Sequence, residues 1–227
     1  MYHHISTDTS SGLTTGISQL EAQFSWIRDQ GFTTWHLSEL EERTHFPKGK
    51  HMVITFDDAY VSFKELALPL LQKYKLKATL FVPLGFLGKT DAWNSGKLPI
   101  MNVDDLRALD PSIVELGYHS FEHPKYHEIS LDEVKTDMQK CYDLASNSGL
   151  LFSKALAYPY GKYPREKEAK KEFVRLLEKS GLHFGLRIGN RVNSFPFSKP
   201  FEIQRLDIKG EYSLAKFSRK VKYGKLL

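Results

Sequence analysis

The chain has 227 residues, 41% hydrophobic and 26% charged, with a formal net charge of +5. That is enough length and apolar content for one domain, residues 1–227, with a sizeable core, and no stretch approaches the roughly 20 apolar residues that span a bilayer. A single cysteine, Cys141, excludes an internal disulfide and suits a reducing compartment.

The basic surplus is interspersed with acids, as from Lys162 to Glu168, and no aromatic-basic module is present, so no nucleic-acid partner is expected. Only Lys216 to Lys225 is basic without a compensating acid, a tail suited to peripheral contact with an anionic membrane surface. Met1-Tyr2-His3-His4-Ile5 shows no charged n-region ahead of an apolar h-region, which sets the expectation of a cytoplasmic protein.

In chain order, Tyr2 to Ile5 is a short predicted strand. Ser18-Gln19-Leu20-Glu21 has the form of a capping box, and Ile17, Leu20, Phe24 and Ile27 follow helical spacing up to Gly31. A strand over 32–37, a short helix from Ser38 and a turn at Pro47 precede the strand Met52 to Phe56, which ends in Asp57-Asp58. Phe63, Leu66, Leu70 and Tyr74 mark a helix that Pro69 is expected to kink. Ala78 to Val82 is an unbroken apolar strand of the buried parallel kind. A long connection carrying Trp93 leads to Asn102, a helix cap, and to a strand over 113–118. Ser130-Leu131-Asp132-Glu133 is a second capping box, opening a helix with Val134, Met138, Cys141 and Ala145 on one face. Strands over 155–158, 183–188 and 203–208 alternate with helices from Arg165 and Leu214. The alternation predicts βα units with parallel strands. The length falls short of a full eight-unit barrel, so a distorted (β/α) barrel of about seven parallel strands is expected, with an open doubly wound sheet as the alternative.

In such a barrel, chemistry collects where strands end. One strand delivers Asp57-Asp58, the next informative end His119-Ser120-Phe121-Glu122-His123, the next Pro159-Tyr160-Gly161. Adjacent buried carboxylates are costly unless a cation or a helix N-terminus offsets their charge, and alone the pair leaves both open. His119 and His123, four residues apart, would face one way on a helical turn and could share a metal. Two imidazoles and a carboxylate leave room for water and substrate. Such donors suit a divalent ion, zinc best, with other transition metals open.

These residues resemble the polysaccharide deacetylases of the NodB-homology type, carbohydrate esterase family 4. Thr55-Phe56-Asp57-Asp58 resembles the first motif, His119 to His123 the second, Tyr158-Pro159-Tyr160-Gly161 the third, and the likeness runs from Tyr2 to about Asp207. The opening Met1-Tyr2-His3-His4 resembles the permuted branch that includes enzymes acting on poly-N-acetylglucosamine. The resemblance implies that Asp58, His119 and His123 hold the metal. It implies Asp57 as general base, the Tyr160 N–H as oxyanion donor in a turn shaped by Pro159 and Gly161, and His3, with His4 as fallback, as the acid that protonates the leaving amine. Pro159, Tyr160 and Trp93 are the expected substrate contacts. The implied substrate is an N-acetylated glycan or glycan precursor of lipopolysaccharide or exopolysaccharide assembly.

Two departures stand out. Ala59 occupies a position where the family's motif has Gly, and Ala157 one where it often has Arg paired with the catalytic Asp. Arg205 is the candidate to supply that charge; the alternative is an ion pair with Asp207 or Glu202. Two other functions share these residues: a non-catalytic carbohydrate-binding domain, and a hydrolase of a small amide.

Overall fold

The computed structural model describes residues 1–225. Strand β1 (His4–Ser6) pairs in parallel with β2 (Thr14–Gly16), and helix α1 (Ile17–Asp29) follows at once. β3 (Phe32–Thr34) pairs in parallel with β4 (Lys50–Met52). Then come β5 (Ile54–Phe56), α2 (Leu68–Tyr74), β6 (Ala78–Val82), α3 (Val103–Arg107) and β7 (Val114–Tyr118). α4 (Leu131–Ser148), β8 (Phe152–Ala157), α5 (Lys167–Lys179), β9 (Phe184–Ile188), β10 (Ile203–Arg205) and α6 (Leu214–Tyr223) complete the chain.

The main sheet has six strands in the order β10-β9-β8-β7-β6-β5, every neighbouring pair parallel. It curls into a half-barrel, so the barrel expectation holds with six strands where about seven were expected. The seventh place is filled by a single parallel bridge between Tyr2 and Phe56. The Tyr2 N–H donates to the Thr55 carbonyl at 2.9 Å, and the Asp57 N–H donates to the Tyr2 carbonyl at 2.9 Å. On the other side, the Ile208 N–H donates to the Met1 carbonyl at 3.3 Å. Residues 1–2 thus lie in the seam between the sheet's two edges, β5 and the segment after β10. They border a cavity of about 220 Å³, lined also by Ile54, Thr55, Phe195, Phe197, Ile203 and Arg205.

Burial follows strand alternation. On the outer face Phe56, Leu80, Val82, Leu116 and Tyr118 pack under the helices, while Phe81, Ala155, Ala157, Leu186 and Ile203 fill the inside. β6 is buried along its whole length because both faces are covered, which is why its sequence is continuously apolar. Among the described residues no helix is long and apolar enough to cross a membrane.

Several local expectations change. α1 begins at Ile17 after Gly16 with no side-chain cap, so Ser18 to Glu21 is not a capping box. Glu21 instead accepts from Lys73 Nζ at 2.6 Å and Tyr74 Oη at 3.1 Å, fastening α1 to α2. The helical run expected around Pro69 is interrupted just before the proline. Pro69 sits in the first turn of α2, directly after a wide i→i+5 turn over 63–67. The strand expected over 52–56 splits at Val53, its two halves joining different sheets. The strand expected over 203–208 ends at Arg205. The boxes at Asn102 and Ser130 both form; the Ser130 N–H donates to Glu133 Oε2 at 2.7 Å, and α4 stops at Gly149 with φ 66°.

Candidate active site

Four strand ends and the seam converge on one point. β5 ends in Asp57 and Asp58, β7 in His119, β8 in the Pro159–Gly161 turn, β10 in Arg205, and the seam segment adds His3. Asp57, Asp58, His119, His123 and Arg205 are all buried, between 2% and 6% exposed.

The helical turn expected of His119 and His123 is not formed. Residues 119–123 make an irregular loop in which Ser120 (φ 68°) and His123 (φ 56°) are left-handed. Ser120 holds the loop's end, its Oγ accepting from the His123 N–H at 2.9 Å. The His119 Nδ1–H donates to the Ala157 carbonyl at 2.8 Å, since a carbonyl can only accept. That bond fixes the tautomer and turns Nε2 toward Asp58.

Three donors face one another. The two imidazole Nε2 atoms are 3.3 Å apart, and Asp58 Oδ1 lies 3.4 Å from each. Metal–ligand bonds of about 2.0–2.1 Å in a tetrahedral site separate their donors by about 3.3–3.4 Å. The triangle therefore fits a divalent cation, and Asp58 Oδ1 is buried without a hydrogen-bond partner, as a ligand oxygen would be. Burial alone would push the Asp58 carboxyl up; the two imidazoles more than reverse this and hold it well below the usual carboxylate range.

Asp57 is kept apart from this triangle. Its Oδ1 and Oδ2 receive Arg205 Nη1 and Nη2 at 2.5 and 2.7 Å, a two-pronged pair. His3 Nε2 and His119 Nε2 stand 3.8 and 3.9 Å from Asp57 Oδ2. Burial pushes the Asp57 carboxyl up, but Arg205, His119 and His3 outweigh it and leave it below the ordinary value. Burial lowers His3 and His123, while at His119 it is outweighed by Asp57 and Asp58, which raise that imidazole. Arg205 makes no pair with Asp207 or Glu202; Asp207 pairs with Lys209, and Glu202 with Lys170. His4 is turned away, beside Thr14 at 3.5 Å and edge-on to Tyr60.

At the end of β8, Pro159 and Gly161 are buried, while Tyr160 is left-handed (φ 56°) and 42% exposed. Gly161 is required there, because a Cβ would lie 2.9 Å from the Ile188 backbone nitrogen. Half-buried Trp93 stacks on the His123 ring at 4.4 Å, and Tyr160 meets the same ring edge-on at 4.8 Å. Phe86 also packs on the Trp93 ring, at 4.7 Å and 75°.

Sequence reasoning overlooked two carboxylates that shape this site. Asp91, fully buried, accepts from the Lys97 and Leu98 N–H groups at 2.9 Å each and folds the loop that carries Trp93. Asp137 on α4 accepts from the Phe121 and Glu122 N–H groups at 3.0 and 2.9 Å. Burial pushes its carboxyl up, more than the two amides lower it. A charge one step from Met138 on the helix's apolar face was its visible signal.

The polysaccharide deacetylase family model matches residues 45–182, more than half of the sequence. The chain belongs to the polysaccharide deacetylase family. The family's NodB-type domain defines the carbohydrate esterase family 4 hydrolases. Curated relatives include the Bacillus subtilis protein YxkH, 25% identical over 189 residues, and a Staphylococcus aureus poly-β-1,6-N-acetyl-D-glucosamine N-deacetylase, 24% identical over 198 residues. The matches cover 82% and 83% of this chain but only 62% and 66% of those proteins. Among solved structures, the Streptococcus pyogenes deacetylase PplD, determined with acetate, superposes with a TM-score of 0.81 over 97% of this chain and 96% of that one, at 20% identity. IcaB from Ammonifex degensii gives 0.78 over 97% and 95%, at 18% identity, so the fold is shared.

The departures from the family pattern now have a geometry. Ala59 adopts φ 51°, the left-handed region that its usual Gly would enter without cost. Ala157 is buried inside the half-barrel, where its side chain could reach no carboxylate. The guanidinium reaches Asp57 instead from β10, the opposite edge of the sheet.

Proposed function

We propose that this chain, acting as one catalytic unit, hydrolyses N-acetyl groups on a glycan or glycan precursor. The observation that carries this reading is the separation of roles within Asp57-Asp58. One carboxylate joins two imidazoles in a donor triangle; the other is held ionised by an arginine beside it.

Asp58, His119 and His123 would hold a divalent cation, zinc by the donor set and its spacing. When bound, the cation supplies Lewis acidity, making water a nucleophile near neutral pH and polarising an acetyl carbonyl. Asp57, next to the triangle, takes the proton from the attacking water. Arg205 fixes the direction of its lone pairs through the two-pronged bond and keeps it unprotonated. The Tyr160 N–H donates to the oxygen on which negative charge develops. His3, neutral when buried and 3.8 Å from Asp57, receives a proton and passes it to the departing nitrogen. The acetyl C–N bond breaks, and acetate and a free amine leave. Tyr160 and half-buried Trp93 form the sugar contacts, and buried Pro159 shapes the turn that presents Tyr160. The name of the Staphylococcus aureus relative makes β-1,6-linked N-acetylglucosamine the first polymer to try.

The test is metal analysis of the purified protein coupled to acetate release from N-acetylglucosamine oligomers, repeated with His119→Ala. One equivalent of metal and acetate release, both lost in the variant, support the reading. Stoichiometric metal without acetate release points to a small amide substrate. Protein that binds no divalent metal overturns it in favour of a carbohydrate-binding domain.

A further inference from the structure

Asp137 takes no part in the chemistry above, yet both of its oxygens serve the loop that carries the two imidazoles. It projects from the buried face of α4 and is 6% exposed. Oδ2 accepts from the Phe121 N–H at 3.0 Å and Oδ1 from the Glu122 N–H at 2.9 Å, while Tyr126 Oη donates to Oδ2 at 3.2 Å. Those two amides belong to consecutive residues between His119 and His123. The next amide, that of His123, is taken by Ser120 Oγ at 2.9 Å.

The loop has no helical ladder of its own, and two left-handed residues, Ser120 and His123, disfavour its backbone. Something outside must hold it. A carboxylate can accept from two neighbouring N–H groups at once, with the added strength of a charged acceptor. An amide side chain of the same shape has one acceptor oxygen and would turn its own NH₂ toward the second N–H. The platform is firm: α4 runs for 18 residues from a complete capping box at Ser130.

We infer that Asp137 is a positioning residue that sets the spacing of His119 and His123, and through it the affinity of the triangle for a divalent cation. The inference rests on the cation reading given above. Removing groups that orient metal ligands weakens metal binding by about 10- to 100-fold.

The experiment is zinc titration of the full chain against a competing chelator, with amide hydrogen exchange on the metal-free protein as a second arm. Asp137→Asn should raise the zinc Kd by about 10- to 100-fold and speed exchange at the Phe121 and Glu122 amides. Tyr126→Phe removes the outer O–H and leaves both amide bonds, so it should raise the Kd by less, within about 5-fold. Val134→Ala, one turn earlier on the same buried face, destabilises the helix packing but should leave the Kd within about 3-fold of wild type. A purely structural Asp137 would make Asp137→Asn and Val134→Ala behave alike, which overturns the inference. So does wild-type exchange at Phe121 and Glu122 in Asp137→Asn. Wild-type protein that takes up no zinc defeats the cation reading and the affinity claim, and exchange then decides alone whether Asp137 holds the loop.

Discussion

Arg205→Ala tests the pairing on which the proposed base depends. The substitution strips the guanidinium from Asp57 and leaves a carboxylate 3% exposed with its two short bonds gone. Breaking a buried pair by removing one partner costs about 3–5 kcal/mol. His3 and His119, 3.8 and 3.9 Å from Asp57, soften the loss, so the low end, about 3 kcal/mol, is expected. For a chain of this length that lowers the Tm by about 6–12 °C. Folding lowers the Asp57 pKa, so the pair's contribution is complete above the unfolded value of about 3.9 and is lost as pH falls through the folded value. Without Arg205 the folded value rises, and the acidic limb of the rate profile moves to higher pH. Turnover should fall by about 10²–10³, within the range that a general base supplies. Arg205 touches none of Asp58, His119 or His123, so metal content should stay at one equivalent. The double variant Asp57→Asn with Arg205→Met removes both charges and should regain most of the lost stability while staying inactive. Thermal unfolding, metal analysis and acetate release against pH are the assays. A single variant with kcat within threefold of wild type, or one that loses its metal, refutes the reasoning.

Ala59→Gly should be close to neutral in chemical denaturation, within about 1 kcal/mol: relief of a left-handed alanine, φ 51°, is offset by loss of a fully buried methyl group and by glycine's greater freedom when unfolded. A loss above about 2 kcal/mol would show that the turn is held by more than these terms. Trp93→Ala should raise KM for an N-acetylglucosamine oligomer by about 2- to 12-fold, the worth of one aromatic stacking contact, with metal content unchanged. An unaltered KM removes Trp93 from the sugar contacts. Gly161→Ala should cost activity and stability together, because its Cβ would press on the Ile188 backbone and shift the Tyr160 turn. Wild-type turnover in that variant would separate the turn from the reaction.

Much of the architecture is legible in the sequence because parallel strands covered on both faces leave continuous apolar runs, as in Ala78 to Val82. The polar residues that end those runs stand out against them, which is why Asp57, His119 and Tyr160 are visible at all. Periodicity cannot show where a strand changes partners, so the break at Val53 leaves no trace. The four-residue spacing of His119 and His123 fits a helix and a left-handed loop equally well, and only the loop's own acceptors, Ser120 and Asp137, decide between them. The Ser18 pattern has the right letters, but Glu21 is drawn off by Lys73 and Tyr74, partners more than 50 residues away. Arg205 can be named as a charge in search of a carboxylate; that it crosses from one sheet edge to the other belongs to tertiary structure alone.

That crossing has a mechanical consequence. β5 and β10 are the two edges of the six-stranded sheet, bridged by the short segment of residues 1–2 and by this side-chain pair, and a cavity of about 220 Å³ lies against Arg205. An ion pair between Asp57 and Arg205 therefore works as a latch on the barrel's mouth, and the latch is the proposed base itself. Whatever spreads the edges, whether warming or acid that protonates Asp57, disarms the chemistry at the same stroke. Activity should fade on heating a few degrees before the helices melt, with the seam opening ahead of the rest of the molecule.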